Sequence, residues 1–133
     1  MPPTALVPPG METATTALAL SPGVLSHGHV FVTGMTGSDA SGAMPDTAEA
    51  QFHNAFDKIA AVLAEAGLDM RAVVEMTSYH IGLRQHFDLF NAVRRRYLAD
   101  PFPAWTAVEV AGLRREGALV EIRAIAATPD TPC

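Results

Sequence analysis

The chain is short of the side chains on which several common chemistries depend. Its 133 residues include one cysteine, Cys133, and one lysine, Lys58. A single cysteine in this position excludes a disulfide framework within the chain, a Cys-rich metal site and a buried thiol nucleophile. A single lysine leaves Schiff-base chemistry one candidate, and Lys58 falls inside a strongly helical stretch, a poor place for it. Charge is sparse at 17% of residues, and nine basic side chains stand against fourteen acidic ones for a net charge of -5. Nucleic-acid backbones are gripped by clusters of Lys and Arg that release counterions, so no nucleic-acid partner is expected. The longest stretch free of Asp, Glu, Lys and Arg, 13–38, holds Pro22, Gly23, Gly28, Gly34 and two histidines, and is not a membrane span. No basic and then apolar leader opens the sequence, and the expected setting is cytoplasmic.

What is present is a globular composition, 49% hydrophobic, in a length that suits one domain with its own core. Pro2, Pro3, Pro8 and Pro9 mark residues 1–13 as an expected loose tail, with the domain over 14–128 and a second tail over 129–133. Leu18–Leu25, interrupted by Ser21-Pro22-Gly23, reads as a bulged edge strand. His29–Thr33 is a β-branched strand ending at Gly34, and the Gly- and Ser-rich 35–44 is a loop. Asp46 and Glu49 have the spacing of a capping box. Phe52, Phe56, Ile59 and Leu63 then follow on one helical face until Gly67. Val73–Ile81 is a strand apolar or small on both faces. A second helix is predicted over Gln85–Leu98 with Phe87, Phe90, Val93 and Tyr97 inward, stopped by Pro101 and Pro103. Trp105–Val110 and Ala118–Ala126 are predicted strands joined by a hairpin-like connection over 111–117. The order ββαβαββ implies an α+β fold with one mixed sheet and two helices on one face. The sheet's bare second face points to oligomerisation, with a site between subunits.

The chemistry-bearing residues are few. The five histidines lack HExxH or any paired spacing, so no metal is expected. Gly34–Gly42 has neither a Walker lysine nor GxGxxG, so no nucleotide cofactor is expected either, and Ser38 and Ser41 lie outside any GxSxG elbow. Arg94, Arg95 and Arg96 point in three directions, so at least two are solvated, while Arg94 follows the inward Val93 and can turn toward a cleft. Glu121 stands out in Ala-Leu-Val-Glu-Ile-Arg-Ala-Ile-Ala, because a carboxylate on an apolar strand must be paired or face a wet cavity. Carboxyl groups in apolar cavities are pushed up in pKa, which is how they become proton donors near neutral pH.

Thr33-Gly34 after a strand, the helix Gln51–Gly67 ending Val-Leu-x-x-Ala-Gly, Pro103-Ala104 before a strand, and Val120-Glu121-Ile122-x-Ala-Ile-Ala together resemble the Rid proteins. These are the reactive intermediate deaminases, also known as YjgF or endoribonuclease L-PSP-like, and the resemblance spans about 14–128. It implies a chorismate-mutase-like fold and a homotrimer whose sheets form an inner barrel. It also implies a cleft at each of three interfaces, where reactive enamines and imines from amino acids are hydrolysed to a keto acid and ammonia. Thr33, Gly34 and Glu121 match the family's site. Where imine-deaminating members hold the substrate carboxylate with an Arg after Pro-Ala, this chain has Trp105, and a neutral indole makes no bidentate pair. Arg94 stands for an Asn, Ala107 for a frequent Cys, and Leu20 for a Tyr. Three readings remain open: a Rid-type enzyme with altered preference, using Glu121 as acid/base on a small-molecule substrate; a non-catalytic member binding a metabolite or protein; and, last, a ribonuclease or translation inhibitor.

Overall fold

A computed structural model describes residues 2–129. The elements are β1 (Thr4–Leu6), α1 (Glu12–Leu18), β2 (Gly23–Ser26), β3 (His29–Thr36), α2 (Ala48–Ala64), β4 (Val73–His80), α3 (Leu83–Tyr97), β5 (Ala104–Glu109) and β6 (Val120–Ala127). They make one six-stranded sheet in the order β1-β2-β3-β6-β4-β5 with three helices, an α+β architecture. Only β4 and β5 pair in parallel, so the sheet is mixed.

α2 forms because Gln51, Phe52, Ala55, Phe56, Ile59, Val62 and Leu63 make one buried stripe at three-and-four spacing. Its cap is Thr47, not the expected Asp46: Thr47 has the extended backbone of an N-cap, and its hydroxyl accepts from the Ala50 N–H at 3.3 Å. α3 packs beside α2 through Phe90, whose ring meets Phe52 edge-on at 5.1 Å, and through Tyr97, stacked on Phe56 at 4.9 Å. Of the residues expected inward on α3, Phe90 and Val93 are buried, while Phe87 is partly exposed.

Several sequence expectations are corrected. Within the tail expected over 1–13, residues 4–6 form β1, paired antiparallel with β2, and α1 begins at Glu12, so these residues are not loose. Leu18 ends that helix rather than opening a strand, so three helices replace the expected two. Its Thr-rich sequence is held by Glu12, which accepts from the Gly10 N–H at 2.9 Å, and by Thr15 and Thr16 bonding back one turn. β3 does not stop at Gly34 but bulges between Val32 and Met35 and runs to Thr36. β5 and β6 do not form a hairpin, because β4 lies between them. β4, α3 and β5 are a parallel crossover unit, and apolar β6 then takes the central slot between β3 and β4. The expected tail over 129–133 lies, beyond Pro129, outside the described residues.

Strand register sorts the faces. Val120, Ile122, Ala124 and Ala126 of β6 are buried beneath the helices with Val30, Val32, Met76 and Ser78. The opposite face carries Phe31 and Ile125, but also Glu75, Thr77, Tyr79, Glu121 and Arg123, and is less apolar than expected. Phe31 and the bulged Val74 are 42% and 46% exposed.

Candidate functional site

The β3 bulge makes the site. It turns Thr33 and Gly34 out of regular pairing, and the Thr33 N–H donates instead to the Pro22 carbonyl at 2.9 Å. Gly34 then lies against the side chain of Glu121 on the neighbouring β6. A Cβ there would contact Glu121 Oε2 and sit 2.8 Å from its Cδ and 2.9 Å from its Cγ. Glycine admits this close approach without displacing the carboxyl, and the Thr-Gly step and the strand glutamate of the sequence prove to be one assembly.

Thr33, Gly34 and Glu121 line two concavities. The larger, about 700 Å³, is closed by α1, by the flank of α2 and by loop 37–42, with Leu18, Leu20 and Pro22 in its walls. The second, about 540 Å³, opens on the uncovered sheet face beside Phe31 and Tyr79. Glu121 is half-buried between them.

Buried Gln51 ties the surrounding loops together. Its Nε2 donates to the carbonyls of Pro45 and Gly117, both at 2.9 Å, and its Oε1 accepts from the Leu119 N–H at 2.8 Å. This fixes the β5–β6 connection over the larger cavity, where Arg115 donates to the Gly42 carbonyl at 2.7 Å. Asp39 closes loop 37–42 by accepting from Ser41 Oγ at 2.6 Å and from the Ser41 and Ala43 N–H groups. These bonds, led by that from Ser41, hold its carboxyl below the usual range.

Two polar residues of the α2 flank join the site, Asn54, which sequence reasoning missed, and Lys58, which it set aside. Asn54 donates to the Gly37 carbonyl at 3.0 Å, and Lys58 to Ser38 Oγ at 2.9 Å. Burial, with Arg115 nearby, lowers the Lys58 amine from 10.5 to about 8. Lys58 is therefore not poorly placed, as its helix suggested, but a cavity residue. The spacing of Asn54, Lys58 and Ala61, a stripe beside the apolar one, is the signal that identifies this wall.

The other candidates lie elsewhere. Trp105 pairs with Met76 and Ala107 with Ser78, which places both on the helix-covered face, opposite Glu121. The Trp105 ring stacks on Phe87 at 5.6 Å, and the Arg94 guanidinium sits 3.9 Å from its centroid. Arg94 also donates to Asn91 Oδ1 at 3.0 Å. Trp105 Nε1–H donates to Ser78 Oγ at 2.9 Å, and the same hydroxyl is hydrogen-bonded to His80 Nε2 at 2.8 Å. His80 Nδ1 is buried and unpartnered among the described residues. Burial lowers the His80 pKa from 6.5 to about 4. Within one chain, then, Thr33, Gly34 and Glu121 come together, while Arg94, Trp105 and Ala107 form a separate group. Among the described residues no three His, Cys, Asp or Glu side chains are grouped to hold a metal, and no helix is long and apolar enough to cross a membrane.

Known proteins share this arrangement of elements. The family model described as Endoribonuclease L-PSP matches residues 11–128. The RutC family protein YjgH of Escherichia coli is 32% identical over 128 residues, 96% of each chain, and a solved structure of YjgH superposes with a TM-score of 0.86, covering 96% of this chain and 98% of that one. A 2-iminobutanoate/2-iminopropanoate deaminase of Bos taurus is 33% identical over 121 residues, 87% of each chain. A solved member of the YjgF/YER057c/UK114 family from Mycobacterium tuberculosis matches with a TM-score of 0.81 at 29% identity, covering 96% of this chain and all of that one. With residues 11–128 matched by that family model, the chain belongs to the endoribonuclease L-PSP family, the YjgF or Rid proteins.

Proposed function

We propose that the protein is a Rid-type enzyme that hydrolyses a small imine or enamine, or does related acid/base chemistry on a tautomerisable metabolite, with Glu121 as the proton-transfer group. The observation that carries this reading is the Glu121 carboxyl seated against Gly34 in the wall common to two cavities. In the hydrolysis, water adds to the imine carbon as its proton passes to Glu121, the nitrogen takes up protons, and ammonia leaves as the carbonyl forms. The bovine relative, named for two iminoacids, supports the reaction class.

The substrate preference is shifted from amino-acid-derived imines. Trp105 stands where the family's carboxylate-binding arginine is expected, and losing such a charge-assisted contact removes about 1.5–3 kcal/mol, roughly ten- to a hundredfold in binding. Because Trp105 and Glu121 lie on opposite faces of one sheet, they meet in one site only across an interface. Exposed Phe31 and Val74 support such an interface, and the assembly proposed is a homotrimer with a cleft between subunits. A second reading, a non-catalytic binder, is favoured by the way Phe87, Ser78 and Arg94 enclose Trp105 and leave no clamp.

The test is a panel of imines generated in situ, anionic and neutral, assayed with wild type and Glu121→Gln. The enzymatic reading expects acceleration on neutral imines that the substitution abolishes without lowering the melting temperature. Acceleration that survives Glu121→Gln excludes the proton-transfer role, and no acceleration on any imine favours the binder.

A further inference from the structure

Lys58 is the chain's only lysine, and the hydrolysis above leaves it unused. It reaches the larger cavity from the flank of α2, where its Nζ makes a single hydrogen bond, to Ser38 Oγ. The charged or titratable side chains lining the cavity with it are Asp39, Asp57, Arg114, Arg115 and Glu121. Among the described residues none of these carboxylates forms an ion pair with Lys58. Asp39 is occupied by Ser41 and Ala43, and Asp57 accepts from Tyr97 at 2.9 Å. An ammonium group with no direct ion pair, in a cavity with apolar walls, where desolvation and the Arg115 guanidinium outweigh the opposing Asp39 carboxylate, is in the surroundings that turn lysine into a free amine nucleophile.

We propose that Lys58 is a nucleophilic amine that captures a small aldehyde or ketone in the larger cavity as a Schiff base. The Nζ lone pair attacks the carbonyl carbon, the oxygen takes a proton, and the resulting carbinolamine loses its hydroxyl as water when a second proton arrives. One C–N double bond replaces one C–O double bond, one water is released, and no electrons are exchanged. At about pH 7.5 roughly a quarter of amines with a pKa near 8 are neutral, against about a thousandth for an ordinary lysine. The cavity, at about 700 Å³, admits a small carbonyl compound with room to spare. This activity uses the same cavity as imine hydrolysis but requires neither an imine substrate nor Glu121.

The experiment is reductive trapping of the full chain with propanal and cyanoborohydride at about pH 7.5, followed by peptide mass mapping. A single lysine makes the readout unambiguous. A propyl group is expected on Lys58 at least about tenfold faster than on the same lysine in the urea-unfolded chain, and the rate should rise with pH around a midpoint near 8. Lys58→Met should carry label only on the α-amine. It should also fold, because the partly buried ammonium it removes is destabilising, fully so below pH 8 and not at all above about 10.5. Labelling of Lys58 no faster than in the unfolded chain, or a midpoint near 10.5, overturns the proposal. The Rid reading is judged separately by imine hydrolysis in Glu121→Gln, so either can fail alone.

Discussion

Adding one methyl group at Gly34 and at Gly37 should have opposite consequences. At Gly34 the three atoms nearest the new Cβ would all belong to the Glu121 side chain, Oε2 by contact and Cδ and Cγ at 2.8 and 2.9 Å. The carboxyl must swing into another rotamer, which costs about 0.5–1.5 kcal/mol, partly offset by about 0.4–1 kcal/mol from a stiffer unfolded chain. Stability should therefore change by less than about 1 kcal/mol, or about 4 °C for a chain of this size. The carboxyl, however, moves by an ångström or more, and the imine hydrolysis proposed above should fall about a hundredfold. At Gly37 the Cβ would meet the backbone of Gln51, its Cα and carbonyl oxygen, which cannot swing away. Overpacking of about 1–3 kcal/mol, with strain on the three hydrogen bonds of the Gln51 side chain, should lower the melting temperature by roughly 10 °C. Thermal melts and initial rates on both variants decide the matter. The reasoning fails if Gly34→Ala melts as low as Gly37→Ala, or keeps its rate. It also fails if Gly34→Ala still destabilises in a Glu121→Ala background, where the obstacle is gone and only the stiffer unfolded chain remains.

Three further outcomes follow from the geometry. Arg94→Ala should shift the emission of the chain's single tryptophan to longer wavelength, since the guanidinium covering Trp105 is replaced by water, and an unchanged spectrum would remove the cation–π contact from the account. His80 is buried and neutral with its pKa depressed from 6.5 to about 4, so the unfolded chain takes up this proton first. Its contribution to stability is present above pH 6.5 and lost as the pH falls through about 4. Melts at neutral pH and near pH 4 should show a smaller acid loss for His80→Gln than for wild type, and equal losses would assign the effect to other groups. Light scattering should report three chains per particle if Trp105 of one subunit meets Glu121 of another, and a monomer at micromolar concentration would rule out the interfacial cleft.

What the sequence alone determined is local. The periodicity of Phe52, Phe56, Ile59 and Leu63, the stop at Gly67, the strand character of β4 and β6, and the breaks at Pro101 and Pro103 depend on neighbours a few residues away. Thr33-Gly34 and Glu121 were legible as candidates because each breaks a local pattern. Their contact was not, since it depends on the bulge in β3 and on β6 lying beside it. The insertion of β6 between β3 and β4 is a choice among distant partners made by burial, and nothing in 111–117 distinguishes a hairpin from a crossing to the far side of β4. The same register decides that Trp105 lies beneath α3 while Glu121 faces away from it, because a one-residue change of phase exchanges the two faces of a strand. Lys58 is the sharpest case. On the helix alone it is one charge beside an apolar stripe, and only the packing of α1, loop 37–42 and the β5–β6 connection around that flank encloses it in a cavity and lowers its pKa.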